Sequence, residues 1–185
     1  MKVLETYISV DVEAAGPMPG AYSLLSIGAC VVGNTDETFY AELQPINEVF
    51  VPSAMEAIHR TLKEFTEDGR DPIEVMQEFR IWIVRISKDT TPVFVGFNAP
   101  FDWSFINWYF HTYLGDNPFG VAGLDIKSYY MGMARCAWAD TRSSRIPTQF
   151  KGTSLHTHHA LNDAIEQAEM FERMRRFTLP DISPQ

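Results

Sequence analysis

The sequence contains only two cysteines, Cys30 and Cys136, and they lie far apart in the chain. No C-x-x-C pair is present, so we expect two reduced core thiols and no disulfide framework. No apolar run approaches the roughly 18 residues that a membrane-spanning helix needs. The first residues also lack the apolar stretch of a secretory signal. These absences predict a soluble, cytoplasmic protein that does not engage a membrane.

Basic residues are also scarce. The chain has 15 Lys and Arg against 24 Asp and Glu, which gives a formal net charge of −9. Non-specific binding of long duplex nucleic acid depends on basic side chains that displace counterions, so this balance argues against it. It does not exclude a protein that holds the end of a nucleic acid through metal ions, because bound cations would cancel part of the negative charge.

The 185 residues are 45% hydrophobic, which is enough for one domain with a packed core. We predict a single domain over residues 1–178 and a loose tail over 179–185. Apolar segments bounded by turn residues predict five strands, over 6–13, 23–32, 37–43, 92–97 and 121–126. Helical patterns lie between and after the later strands, over 53–65, 71–88, 99–114, 127–138 and 159–177.

The order of these segments predicts the fold class. Short connections join the first three strands and indicate an antiparallel meander, whereas the later strands alternate with helices and favour parallel pairing. We therefore expect an α/β fold with a five-stranded mixed sheet flanked by helices. The helix over 71–88 has the clearest start, with Asp71 as N-cap, Pro72 at the first helical position and Glu74 in a capping box. Its expected buried stripe is Ile73, Met76, Phe79, Ile83 and Ile86.

Two acids interrupt the first strand, "YISVDVEAAG". Because successive side chains of a strand point to opposite faces, Asp11 and Glu13 share one face and the neighbouring valines share the other. Two adjacent carboxylates repel each other, and each loses hydration on burial. Taken alone, the pair is also typical of a solvated strand face.

Polar residues also follow the fourth strand, in "VFVGFNAPFD", where Asn98 and Asp102 lie at the start of a helix. Ligands of open α/β sheets gather beyond the carboxyl ends of the strands. Asp102 alone could equally stabilise the helix N-terminus.

A third group is "HTHHALNDA", in which Asp163 falls in the first turns of the last helix and His158 precedes it. A spacing of five does not place both side chains on one helical face, so His158 must reach a site from the end of the helix. The alternatives are a polar loop or a zinc site. Zinc is disfavoured because no cysteine lies nearby and His156, His158 and His159 do not repeat at i, i+4.

Together the three groups resemble the DEDDh 3′-5′ exonucleases, the superfamily of ribonuclease T, oligoribonuclease and the proofreading subunit of bacterial DNA polymerase III. The resemblance spans residues 7–168 and implies a ribonuclease H-like fold. It departs from the family pattern at Ala14, where Thr or Ser is common, and at Asn162, where an acid is common. The resemblance assigns a catalytic set of Asp11, Glu13, Asp102, His158 and Asp163.

The resemblance further implies two Mg²⁺ ions about 4 Å apart, with Mn²⁺ as a substitute, because oxygen ligands suit both cations. Asp11 would contact both ions, and Glu13 and Asp163 would complete the site that holds the nucleophile. Asp102 would reach the second ion, largely through water. His158 would be the general base, since imidazole titrates near neutral pH. Nucleoside 5′-monophosphates would leave from the 3′ end.

The expected partners are 3′ ends of single-stranded DNA or RNA, or short oligonucleotides, and relatives of this kind are often homodimers. Side chains placed to contact the terminal nucleotide are Ala14, Leu25, Asn98 and Phe101. Phe105 and Trp108 could stack on bases, although core packing explains them better. A locally basic segment offers a phosphate path through Arg135, Arg142, Arg145 and Lys151. An enzyme restricted to oligonucleotides of a few residues, or a non-catalytic binding relative, are the alternatives.

Overall fold

The computed structural model describes residues 4–152 and 158–177, and it places five strands in one sheet. The strands are β1 (Glu5–Ala14), β2 (Leu24–Val31), β3 (Asn34–Glu42), β4 (Thr91–Gly96) and β5 (Gly123–Asp125). Their order across the sheet is β3–β2–β1–β4–β5. The first three pair antiparallel, while β4 runs parallel to both β1 and β5. This confirms the predicted mixed sheet; the predicted tail over 179–185 lies outside the described residues.

The helices are α1 (Pro52–Ile58), α2 (Leu62–Asp68), α3 (Pro72–Ser87), α4 (Pro100–Leu114), α5 (Ile126–Ala134) and α6 (Ala160–Arg176). The prediction of one helix over 53–65 is wrong, because α1 and α2 are separate. His59 adopts a left-handed conformation with φ 57°, which ends α1. Thr61 then caps α2 in a reciprocal capping box with Glu64, which fixes a new helix start.

Helix α3 begins as predicted, since the Asp71 side chain accepts hydrogen bonds from the backbone N–H groups of Ile73 and Glu74. Its buried face differs from the predicted stripe. Ile73 is 43% exposed, whereas Trp82 is buried. The reason lies on the sheet, where Phe39 packs against both Phe79 and Trp82 and turns that side of the helix inward.

The two faces of the sheet carry different chemistry. On one face, Val10 and Val12 pack in a large apolar core with residues of α3 and α4. The opposite face carries Asp11 and Glu13 and is covered mainly by α6. The alternation predicted for β1 therefore holds: the valines stabilise the core, and the acids face the last helix.

Gly28 allows α6 to approach the sheet. It pairs with Asp11 across β1 and β2. A Cβ atom at this position would overlap the backbone of Ala160 and Leu161, at the start of α6. Because backbone atoms cannot rotate away as a side-chain end can, only glycine lets the first turn of α6 lie this close to Asp11.

We expect Gly28→Ala to push the first turn of α6 away from the sheet. Overpacking of this kind costs about 1–3 kcal/mol of unfolding free energy, which corresponds to several degrees in Tm for a domain of this size. The matched control is Gly132→Ala on α5, because a Cβ at Gly132 meets no atom within 4 Å and alanine favours a helix. Thermal unfolding measures both variants, and equal Tm values would contradict the expectation.

Both cysteines are free, as the sequence predicts. Cys30 is buried beside α6, where its thiol contacts the Ala164 carbonyl oxygen at 3.5 Å. Burial, with a smaller effect from Glu169, raises the pKa of the Cys30 thiol to about 12. It therefore stays protonated and acts as a packing residue.

Candidate active site

The first strand and the fourth helix bring three acids to one end of the sheet. Asp11 and Glu13 lie near the carboxyl end of β1, and Asp102 lies in the first turn of α4, after β4. The Val12 backbone N–H donates a hydrogen bond to Asp102 Oδ1 at 3.0 Å, with both groups buried. This bond fixes the Asp102 carboxylate beside the strand segment that carries Asp11 and Glu13.

Helix α6 adds a fourth acid. Asp163 lies in its first turn and is 1% exposed. One turn later, Gln167 Nε2 donates a hydrogen bond to Asp11 Oδ1 at 2.5 Å. The Gln167 Oε1 atom accepts a bond from the Phe97 backbone N–H at 2.8 Å, which fixes the orientation of the amide. Sequence reasoning missed Gln167, although its i+4 spacing from Asp163 places it on the same helical face.

His158 and His159 occupy different environments, although they are adjacent. One ligand atom each from Glu13, His158 and Asp163 lies within 4.8 Å of the other two. The His159 ring instead stacks on Tyr40, with ring centroids 4.7 Å apart. The structure therefore places His158 among the acids, as the sequence alignment to the family pattern expects. His156 lies outside the described residues.

Burial and mutual repulsion shift the titration of the acids. Loss of hydration is the main cause for each, and it raises the pKa of Asp102 to about 8 and that of Glu13 to about 7. The pKa of Asp11 is raised well above its usual range, first by burial of the carboxylate and then by the charges of Asp102, Glu13 and Asp163. Burial and mutual repulsion thus disfavour the ionised forms of these carboxyl groups in the protein without a bound cation.

These donors suit a hard divalent cation. Carboxylate oxygens predominate, and no cysteine belongs to the cluster of Glu13, Asp163 and His158. A cation would relieve both the repulsion and the lost hydration that raise the pKa values of Asp11 and Glu13. The residues present therefore fit the metal that the sequence analysis expected.

The residues predicted to contact the terminal nucleotide lie in unequal positions. Asn98 is exposed at the start of α4, with φ 70°, and Phe101 is partly buried one turn along. Ala14 is nearly buried, and Leu25 is fully buried in a small apolar cluster with Met55 and Phe65. A contact between Leu25 and a nucleotide base would require this cluster to open.

The two aromatic residues considered for base stacking lie in the large core beneath α3 and α4. Phe105 is fully buried there, so core packing explains it, and Trp108 is partly buried against that core.

Two cavities that share Arg60 lie on this side of the molecule, and one of them borders the acids. The smaller, of about 60 Å³, is bordered by Glu13 and His158. The larger, of about 630 Å³, is lined mainly by α1 and the connection to α2, including Phe50, Met55 and Leu62. Arg60 borders both. Sequence reasoning missed this larger cavity, because it forms at the break between two helices that the sequence pattern merged.

The predicted phosphate path is less basic than the sequence suggests, because Arg145 pairs with Asp140 at 2.6 Å. A basic residue that the sequence analysis did not select lies beside Asn98. Lys127 Nζ donates to Asn98 Oδ1 at 3.4 Å and lies 4.3 Å from the centroid of the Trp138 ring.

Acids from β1, from the start of α4 and from α6, with one histidine beside them, point to the DEDDh class of 3′-5′ exonucleases, and the mixed sheet is that of the ribonuclease H-like fold. The sequence model of the Rv2179c-like 3′-5′ exoribonuclease domain matches residues 6–174. The chain belongs to this family and is a 3′-5′ exonuclease.

Other relatives agree with this class. A 3′-5′ DNA exonuclease of Escherichia coli, Cap18, is 54% identical over 168 residues, which cover 90% of each chain. Among solved structures, a 3′-exonuclease that recognises the 3′ end of a histone mRNA stem-loop superimposes with a TM-score of 0.72 at 13% identity, over 95% of this chain and 84% of that one. Escherichia coli exonuclease I bound to a dT13 oligonucleotide superimposes with a TM-score of 0.68 at 13% identity. The match covers 93% of this chain and 41% of the exonuclease I chain. The two structures show the shared fold.

Membership of the family implies a divalent metal, which agrees with the donor set described above. Within residues 4–152 and 158–177, no helix has both the length and the apolar character needed to cross a bilayer.

Proposed function

We propose that the protein removes nucleotides one at a time from the 3′ end of single-stranded DNA and releases nucleoside 5′-monophosphates. The observation that carries this proposal is the convergence of four carboxylates and His158, described above. The more similar relative is a DNA exonuclease, and this favours DNA. The family description names an exoribonuclease, so single-stranded RNA is the second candidate.

In the proposed mechanism, the four carboxylates Asp11, Glu13, Asp102 and Asp163 hold two divalent cations, with Mg²⁺ the expected ion and Mn²⁺ a substitute. When bound, the cations supply positive charge that stabilises the transition state of phosphodiester hydrolysis. The hydrogen bonds from Gln167 and from the Val12 N–H keep two of the carboxylates in fixed orientations. Both bonds exist before substrate arrives, so little reorganisation is needed during the reaction.

His158 accepts a proton from the attacking water in this proposal. The water oxygen forms a bond to phosphorus, and the bond from phosphorus to the 3′ oxygen of the preceding nucleotide breaks. That oxygen takes a proton from solvent and leaves as the new 3′ hydroxyl, and the released nucleotide keeps the phosphate. The exposure of His158 at the edge of the cleft allows it to pass the proton to solvent.

The cavity of about 630 Å³, which shares Arg60 with the smaller cavity beside Glu13, is the site that we assign to the terminal nucleoside. Its size fits a ligand of this class. Its lining combines apolar residues with polar ones, which are Glu56, His59, Arg60, Thr61 and Glu64. A base would contact Met55 and Leu62, while Arg60 lies between this cavity and the acids. The homodimer implied by the resemblance stays a prediction.

The test uses 5′-labelled 20-mers of DNA and RNA, single- and double-stranded, with Mg²⁺, with Mn²⁺ and with chelator. We expect a ladder of products shortened from the 3′ end, mononucleotides that carry a 5′ phosphate, and no products with chelator. Dimers and tetramers, assayed beside the 20-mers, distinguish a general exonuclease from one restricted to short oligonucleotides. Binding of the 20-mer without any metal-dependent shortening would contradict the proposal.

A further inference from the structure

The ring of Tyr40 anchors the start of α6. Tyr40 lies on β3, and its ring stacks on the His159 ring with an interplanar angle of 17° and a centroid distance of 4.7 Å. His159 is the N-cap residue of α6, and its side chain makes no capping hydrogen bond to that helix. The His159 ring instead packs on Tyr40 of β3. Both rings line the small cavity that Glu13 borders.

His158 needs such an anchor. It is exposed and adopts φ 50°, a left-handed conformation that costs a non-glycine residue free energy. The backbone that follows it therefore helps to set its position beside Glu13 and Asp163. On the C-terminal side, that backbone is held by the stack between His159 and Tyr40.

Tyr40 is itself held in place. Its hydroxyl donates a hydrogen bond to Glu42 Oε1 at 2.9 Å, and Arg60 pairs with the same carboxylate at 2.5 Å. Arg60 also lies over the Phe65 ring, 4.3 Å from its centroid. These contacts surround the cavity of about 60 Å³ that Glu13 and His158 border. A continuous set of contacts thus runs from α2 to the residue that follows His158.

We propose that Tyr40 is a positioning residue for His158, which it orients through the stack on His159. This inference rests on the proposed function, in which His158 takes the proton. Tyr40→Leu removes the ring and is expected to lower kcat about 10- to 100-fold, the range found when partners that orient a reactive group are removed. KM should change less than about threefold, because Tyr40 does not hold the substrate. Tyr40→Phe keeps the ring and should restore most of kcat.

The decisive measurement is a double-mutant cycle with Tyr40→Leu and His158→Ala, assayed on the single-stranded 20-mer with Mg²⁺. If Tyr40 acts through His158, Tyr40→Leu costs nothing further once His158 is absent, and the double variant matches His158→Ala. If the two losses multiply, Tyr40 acts by another route and the inference is wrong. His159→Ala removes the other ring and should reproduce the loss of Tyr40→Leu, so the inference remains testable if one variant fails to fold.

The control is Tyr129→Leu. Tyr129 is as exposed as Tyr40 and also makes an aromatic contact, but with Phe171 in the second half of α6. Its kcat should match that of the unmodified protein, and thermal unfolding reports the stability of each variant. Full activity of His158→Ala would overturn the proton-transfer role, and this inference with it. If His158→Ala lowers activity but its loss multiplies with that of Tyr40→Leu in the double variant, this inference is wrong and the proposed function stands.

Discussion

Asp11→Asn is expected to reduce nucleotide release by more than about 10³-fold while the protein stays folded. Asp11 lies at the centre of the cluster, since its pKa is raised first by burial and then by the charges of three other acids. An amide carries no charge to hold a cation, and loss of one group that stabilises charge at the reacting atoms costs about 10²–10³ by itself. The resemblance to the family implies that Asp11 would contact both cations, so its loss would weaken the binding of the second cation as well.

Initial rates on the single-stranded 20-mer measure this effect, and circular dichroism reports the fold. The matched control is Asp36→Asn, the same chemical change at an exposed position on β3. The control should retain full activity. An Asp11→Asn variant with more than a tenth of normal activity would show that the acids do not hold the catalytic cation.

Divalent cations are expected to raise the Tm of the chelator-treated protein by about 5–10 °C. A ligand at 100 times its Kd contributes about 2.7 kcal/mol to stability, and 1 kcal/mol shifts Tm by about 2–4 °C for a domain of this length. Mg²⁺ or Mn²⁺ added after dialysis against chelator supplies the measurement, with NaCl at matched ionic strength as control. The Asp11→Asn variant should lose most of this rise in Tm. If added cations leave the Tm of the unmodified protein unchanged, the acids do not form a cation site.

The cation-free protein should also lose stability as the pH rises. Burial raises the pKa of Glu13 from 4.5 to about 7, so between these values the unfolded chain releases a proton that the folded chain retains. The stabilising contribution is complete below pH 4.5 and is lost as the pH passes through 7. The raised pKa of Asp102 extends this loss to about pH 8. Thermal unfolding with chelator measures the Tm from pH 4.5 to 8.5. We expect the Tm to fall over this range, and a rising Tm would contradict the expectation.

Local sequence signals predicted much of the fold. Strand alternation placed the valines of β1 on one face and its acids on the other, and Asp71 with Pro72 located the start of α3. The convergence of Asp11, Asp102 and Asp163 followed from resemblance to a known family. No local pattern relates residues that are more than 60 positions apart, so spacing and periodicity alone could not supply it.

The parts that sequence reasoning missed depend on contacts between elements. Trp82 replaces Ile73 on the buried face of α3 because Phe39 of the neighbouring strand packs there. Gln167 matters because its amide bridges Asp11 and the Phe97 backbone, which belong to different strands and loops. Tyr40 and His159 meet only after α6 lies across the sheet.

The distance along the sequence between the acids has a consequence during synthesis. Asp11, Glu13 and Asp102 leave the ribosome first, and Asp163 and Gln167 follow more than 60 residues after Asp102. A nascent chain without α6 would contain three of the acids. It would lack Asp163, and it would lack the Gln167 amide that orients Asp11. Hydrolytic capacity would therefore arise only after α6 has been synthesised, which would protect nucleic acids near the ribosome from a nuclease that is still incomplete.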